Sequence, residues 1–125
     1  MLGWRARIGI IVPATNTATE SEFWKTLPEG VTLSFARAVS SRDSDQVRRL
    51  SAYKESALKG AIEVAEVQPD LIVWACTSGS FVNGVGYDRA LSAELERAVG
   101  IPVITTSSAL LAAINTLRVK RVALG

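Results

Sequence analysis

"DLIVWACTSGSF", residues 70–81, changes character at its midpoint. Leu71–Ala75 is a continuous apolar run without alternation, too short for a core helix, and it reads as a strand buried on both faces. Such a strand belongs to a parallel sheet, whose crossovers must cover both sides. The run ends at Cys76, the only cysteine in the chain, and continues into Thr77, Ser78, Gly79 and Ser80.

Working outward, the chain supplies the crossovers. Upstream, "RIGIIV" (Arg7–Val12) is a β-branched strand stopped by Pro13. A helix is expected from Thr17, with Thr17 and Glu20 at capping-box spacing and Phe23, Trp24 and Leu27 on its apolar face. Pro28-Glu29-Gly30 makes a turn, Val31–Ala38 a second strand, and Ser40–Ser44 a polar loop with Arg42 and Asp43. Val47, Leu50, Tyr53, Ala57, Leu58, Ala61, Ile62 and Ala65 then recur at helical steps. Downstream, a loop over 76–87 precedes a helix, Arg89–Val99, that Gly100 stops. Val103–Thr105 is a short strand, Ser107–Leu117 a helix and Val119–Leu124 a last strand. Strands alternating with helices give an α/β fold: a flavodoxin-like parallel sheet flanked by helices on both faces.

The 125 residues suffice for one domain with a real core, 48% of them apolar and 21% charged. Fourteen Lys/Arg against twelve Asp/Glu leave a net charge of only +2, with the cations scattered. Without a basic run or an aromatic-basic ladder, nucleic acid is not an expected partner. "MLGWRARIGIIVP" is too short an apolar run for a signal peptide, and no stretch approaches a membrane span. A lone cysteine forms no internal disulfide, which fits a cytoplasmic protein. The absence of histidine excludes Ser-His and Cys-His catalysis and most zinc sites.

Three small-polar segments follow strands: "PATNT" (Pro13–Thr17), "CTSGS" (Cys76–Ser80) and "TTSS" (Thr105–Ser108). In a parallel sheet all three share one edge, where such folds bind ligands. The first and third lead into helix N-termini, which favour anions, although Thr17 and Ser107 are also good N-caps with nothing bound. Asn16 offers an amide, Thr77, Ser78 and Ser80 offer hydroxyls, and Gly79 admits close approach. Neutral donors abound and no guanidinium or ammonium stands out. That suits a small carboxylate or a developing enolate. "CTSGSFVNG" matches neither GxGxxG nor the P-loop, so a nucleotide is disfavoured. Periodicity and spacing stop at a small-anion site.

Read together, "GIIVPATNTATESEFWKTLPEGVTLSFAR", "DLIVWACTSGSF" and "GIPVITTSSALLAAI" resemble the maleate cis-trans isomerase and arylmalonate decarboxylase branch of the aspartate/glutamate racemase superfamily. The resemblance runs along essentially the whole chain. It implies two similar α/β halves with a cofactor-independent, metal-free active site between them and one cysteine position in each. Carried onto this chain, it makes Cys76 the first catalytic thiol, with Asn16, Thr77 and Ser78 binding substrate carboxylate. Glutamate racemases have Asp-Ser-Gly and Cys-Asn-Thr blocks where this chain has Pro-Ala-Thr-Asn and Cys-Thr-Ser-Gly. Arylmalonate decarboxylases typically carry glycine at the position of Cys76. The expected activity is therefore isomerisation of a small dicarboxylate by thiolate addition and bond rotation. Racemisation or decarboxylation through a similar enolate is the alternative, and a non-catalytic anion-binding domain is a second one.

On this reading residues 1–117 form the first half, and 118–125 form a strand leading to a second half that these residues lack. The fragment alone would lack half the active site. The full-length enzyme is expected to be a homo-oligomer, with a small dicarboxylate and neither nucleic acid nor membrane as partner.

Overall fold

The computed structural model describes residues 2–41, 45, 48, 49 and 52–123. Along them run β1 (Ala6–Pro13), α1 (Thr19–Thr26), β2 (Val31–Ala38), α2 (Tyr53–Ala65), β3 (Leu71–Trp74), α3 (Thr77–Phe81), α4 (Tyr87–Val99), β4 (Val103–Thr105) and α5 (Thr106–Thr116). The four strands form one sheet in the order β2-β1-β3-β4, every neighbouring pair parallel. This is the α/β architecture expected, with the strand order of flavodoxin-like sheets.

Register decides what meets at the sheet edge. Ile11 pairs with Trp74, and Trp74 pairs with Thr105, so β1, β3 and β4 end nearly level. The three segments that follow them therefore emerge side by side.

Because strand side chains alternate, β1 feeds two cores. Ile11 faces Ala36, Ile72, Trp74 and Val103 under α2 and α4, which contribute Tyr53, Ala57, Ala61, Val64, Leu91 and Leu95. Ile10 and Val12 face the other side with Leu33, covered by Phe23 of α1 and by Leu27 just beyond it. Ile10, Ile11 and Ile72 are fully buried, and each such side chain stabilises the fold by about 1.5–3 kcal/mol. Helix α2 can lie so close to β1 because residue 60 is glycine: a Cβ there would come within 2.8 Å of Ile11 Cγ2.

Several sequence expectations are corrected here. Helix α1 starts at Thr19 and is not capped by Thr17: Asn16 Oδ1 accepts from the Ala18 and Thr19 amides at 3.0 and 2.9 Å. Trp24, on the expected apolar face of α1, is half-exposed and tilted against Phe35 at 6.4 Å. In α2, Ile62 faces solvent and Val64 takes the buried position; Val47 and Leu50 lie outside the described residues, as do residues 42–44. The expected loop over 76–87 contains helix α3. Thr105 rather than Ser107 caps α5, in a reciprocal capping box with Ser108. The strand expected over Val119–Leu124 does not form at residues 119–123, which are exposed and irregular. A strand needs a neighbour for its ladder, and no described strand pairs beyond β4.

No helix among the described residues is long and apolar enough to cross a membrane. Helix α5 buries no residue, and its Leu110 and Leu111 are half-exposed.

Candidate functional site

After β1 the chain turns sharply, with the Asn16 amide bonded to the Pro13 carbonyl at 2.8 Å. Asparagine suits this corner because its side-chain carbonyl mimics a backbone acceptor, taking the Ala18 and Thr19 amides where the chain enters α1. The Asn16 carbonyl accepts from Arg37 Nη1 at 2.8 Å, and the same guanidinium pairs with Glu20. Arg37 thus clasps the loop to β2. With Oδ1 engaged by the Ala18 and Thr19 amides, the Asn16 side-chain NH2 donates to no described residue.

Cys76 lies two residues beyond β3 in extended backbone, as the N-cap of α3. Its Sγ accepts a hydrogen bond from the Gly79 amide at 3.4 Å. Glycine is required there, since a Cβ would sit 2.9 Å from that sulfur and 3.3 Å from Trp74 Cζ2. Thr77 and Ser78, in the first turn of α3, are exposed. Ser80 is fully buried and structural: its hydroxyl donates to the Thr77 carbonyl at 2.7 Å and bonds the Ser107 hydroxyl at 2.5 Å. Thr106 Oγ1 donates to the Trp74 carbonyl at 3.2 Å. These bonds tie the starts of α3 and α5 to the end of β3.

Two depressions open on this edge, of about 450 and 420 Å³, the size of small-ligand sites. Pro13, Asn16, Cys76 and Ser78 line both. The first adds Thr77, Thr106, Phe23 and Glu22; the second adds Thr15, Ser40, Arg49 and Tyr53. All four residues expected at the site, Cys76, Asn16, Thr77 and Ser78, therefore converge, separated by as many as 62 positions in sequence. Another depression, of about 470 Å³, lies between β2 and α2, where Glu55, Lys59 and Glu63 alternate in sign and Ser40, Ser41 and Ser56 supply hydroxyls.

The sequence places Thr106 on this edge within Thr105–Ser108 without singling it out, and it does not place Tyr53 or Arg49 there. Arg49 corrects the expectation of a site without a guanidinium. Its signal was its position four residues before Tyr53, but nothing in the sequence tied that pair to the edge holding Cys76. Among the described residues, no group of three His, Cys, Asp or Glu side chains is arranged to hold a metal.

Cys76 is only 8% exposed. Burial pushes its thiol above the ordinary range, and the Gly79 N–H bond offsets this only partly. Burial, the larger effect, therefore favours the protonated thiol. Alkylation of Cys76 by iodoacetamide is expected to titrate above an unfolded control, with mass spectrometry of the Cys76 peptide as the readout. A midpoint at or below the control would contradict it. Stability follows the same sign. The unfolded thiol ionises first, so this contribution is complete below the unfolded pKa and is lost as pH rises through the folded one.

Comparison with known proteins places the chain among relatives. The family model for arylmalonate decarboxylase matches residues 8–125. Maleate isomerase of Pseudomonas putida is 30% identical over 132 aligned positions, covering 94% of this chain and 51% of the relative. Maleate isomerase of Geobacillus stearothermophilus is likewise 30% identical, with the same coverage. A solved arylmalonate decarboxylase superposes with a TM-score of 0.74 at 26% identity, covering 94% of this chain and 49% of that one. The chain spans about half the length of the curated relatives it matches.

Proposed function

The chain belongs to the arylmalonate decarboxylase family, and from that premise we propose that it serves a cofactor-independent isomerisation of a small cis-dicarboxylic acid of the maleate type. The observation that carries this reading is the placement of a single buried thiol, Cys76, in a depression shared with the neutral donors Asn16, Thr77 and Ser78. The curated relatives named above support the substrate class, each being a maleate isomerase.

The chemistry follows from the residues. The barrier to rotation in a cis-enedioate is its π bond. Cys76 Sγ forms a bond to one alkene carbon while the π pair moves toward the other carbon and its carboxylate. The thiol proton is delivered to that second carbon, leaving a thioether of succinate with a freely rotating C–C bond. After rotation a proton leaves the same carbon, its electron pair re-forms the double bond, and the C–S bond breaks, the departing sulfur taking up the proton to restore the Cys76 thiol and free the trans acid. No net oxidation occurs, and no co-reactant is consumed. Asn16 Nδ2 and the Thr77 and Ser78 hydroxyls bind the carboxylate on which negative charge accumulates. Held in place before the charge develops, such donors stabilise it more than reorienting water does.

Residues 1–117 are proposed as one of two similar halves, with 118–125 leading onward; the uncovered face of α5 and the half-length match to the relatives support this. The same apolar face supports association with a further half or copy. The lone free thiol supports a cytoplasmic setting.

A second reading, decarboxylation of a malonate-type acid, is favoured by the family match itself. Proton NMR of the intact protein with maleate and, separately, with phenylmalonate tests both. Growth of the fumarate signal alone supports the isomerase; phenylacetate and carbon dioxide support the decarboxylase. Binding without either product leaves an anion-binding module.

A further inference from the structure

We infer that Arg49 anchors a second carboxylate subsite, on the β2 side of Cys76, that selects dianionic over monoanionic acids. The inference rests on the proposed function and deepens it. Cys76, Asn16, Pro13 and Ser78 form a shared rim between the two depressions. What lies beyond the rim differs in charge: Glu22 lines one side and Arg49 the other. A cis-dicarboxylate spanning the rim has one carboxylate for the neutral donors and must direct the other to one side. Glu22 repels it and Arg49 attracts it.

Arg49 is suited to this role. It forms no ion pair with any described carboxylate, whereas Arg37 is held by Glu20. Its backbone is anchored by a 3.0 Å bond from its amide to the Asp45 carbonyl. Beside it, Tyr53 is buried and packs edge-on against Trp74 at 5.8 Å, giving the subsite a fixed wall. Ser40 and Thr15 add hydroxyl donors. A planar guanidinium pairs with a carboxylate through two parallel hydrogen bonds, which a neutral amide in the same place cannot match.

The test uses the intact protein and two ligands of nearly equal shape, maleate and its half-amide maleamate. Each is titrated for protection of Cys76 against iodoacetamide, read on the Cys76 peptide. The wild type is expected to favour maleate roughly tenfold. Arg49→Gln is expected to abolish that preference while leaving maleamate protection within about twofold, and Arg49→Lys to retain part of it. Arg49 is exposed, so neither substitution threatens the core. A preference unchanged in Arg49→Gln, or equal weakening of both ligands, overturns the subsite and leaves the proposed function standing. A wild type protected by neither acid overturns both.

Discussion

Cys76→Ser is expected to lower maleate isomerisation by the intact protein by roughly a thousandfold or more, the scale seen when a covalent nucleophile is removed. A serine hydroxyl has the same reach but is far less acidic and a far poorer nucleophile toward an alkene carbon. The fold should not suffer. Position 76 is the N-cap of α3, where serine is among the preferred residues because its oxygen accepts more strongly from the first free amides. Thermal unfolding of the variant is therefore expected at the wild-type midpoint or slightly above it. This opposite movement of activity and stability separates a catalytic thiol from a packing thiol. Retention of more than a tenth of wild-type turnover by Cys76→Ser would sink the proposed mechanism.

The largest stability effect is expected at Trp74. It is the largest fully buried side chain, and deleting such a ring typically costs about 3–5 kcal/mol. The loss would reach the site as well. The ring packs against Tyr53 and lies beneath Gly79, so its removal takes support from both sides of Cys76. Urea unfolding monitored by circular dichroism measures the cost, and a loss below about 1.5 kcal/mol would contradict the packing described. Trp74→Phe is expected to cost much less. It gives up some volume, but it also removes the Trp74 indole N–H, which is buried without a hydrogen-bond partner among the described residues.

The strands were legible because their apolar runs and β-branched residues carry the signal locally. Val31–Ala38 and Val103–Thr105 fall where the sequence puts them, and the parallel order follows from helices standing between strands. The convergence of Asn16, Cys76, Thr77 and Ser78 was legible for the same reason: in a parallel sheet, segments that follow strands share an edge. Helix α3 was not, since five residues beginning "TSGS" are too few for periodicity and look like a turn. That Asn16 rather than Thr17 takes the amides leading into α1 is decided by the tight turn after Pro13, which no spacing rule reads. Arg49 reaches the site through tertiary packing. Its 27-residue separation from Cys76 left no local trace. Ile62 and Val64 exchanged roles because the stripe they share is set by where α2 lies on β1, at Gly60.

The bond from the Gly79 amide to Cys76 Sγ gives one sulfur lone pair two claimants, the opening turn of α3 and, in the proposed chemistry, the alkene carbon. Once sulfur is joined to carbon it is a weaker acceptor, and the Gly79 N–H is released toward the newly formed adduct. When the adduct departs, the amide closes again on the sulfur. On the proposed mechanism the short helix is a latch coupled to the covalent state of the cysteine, loosened as the adduct forms and reset as it departs.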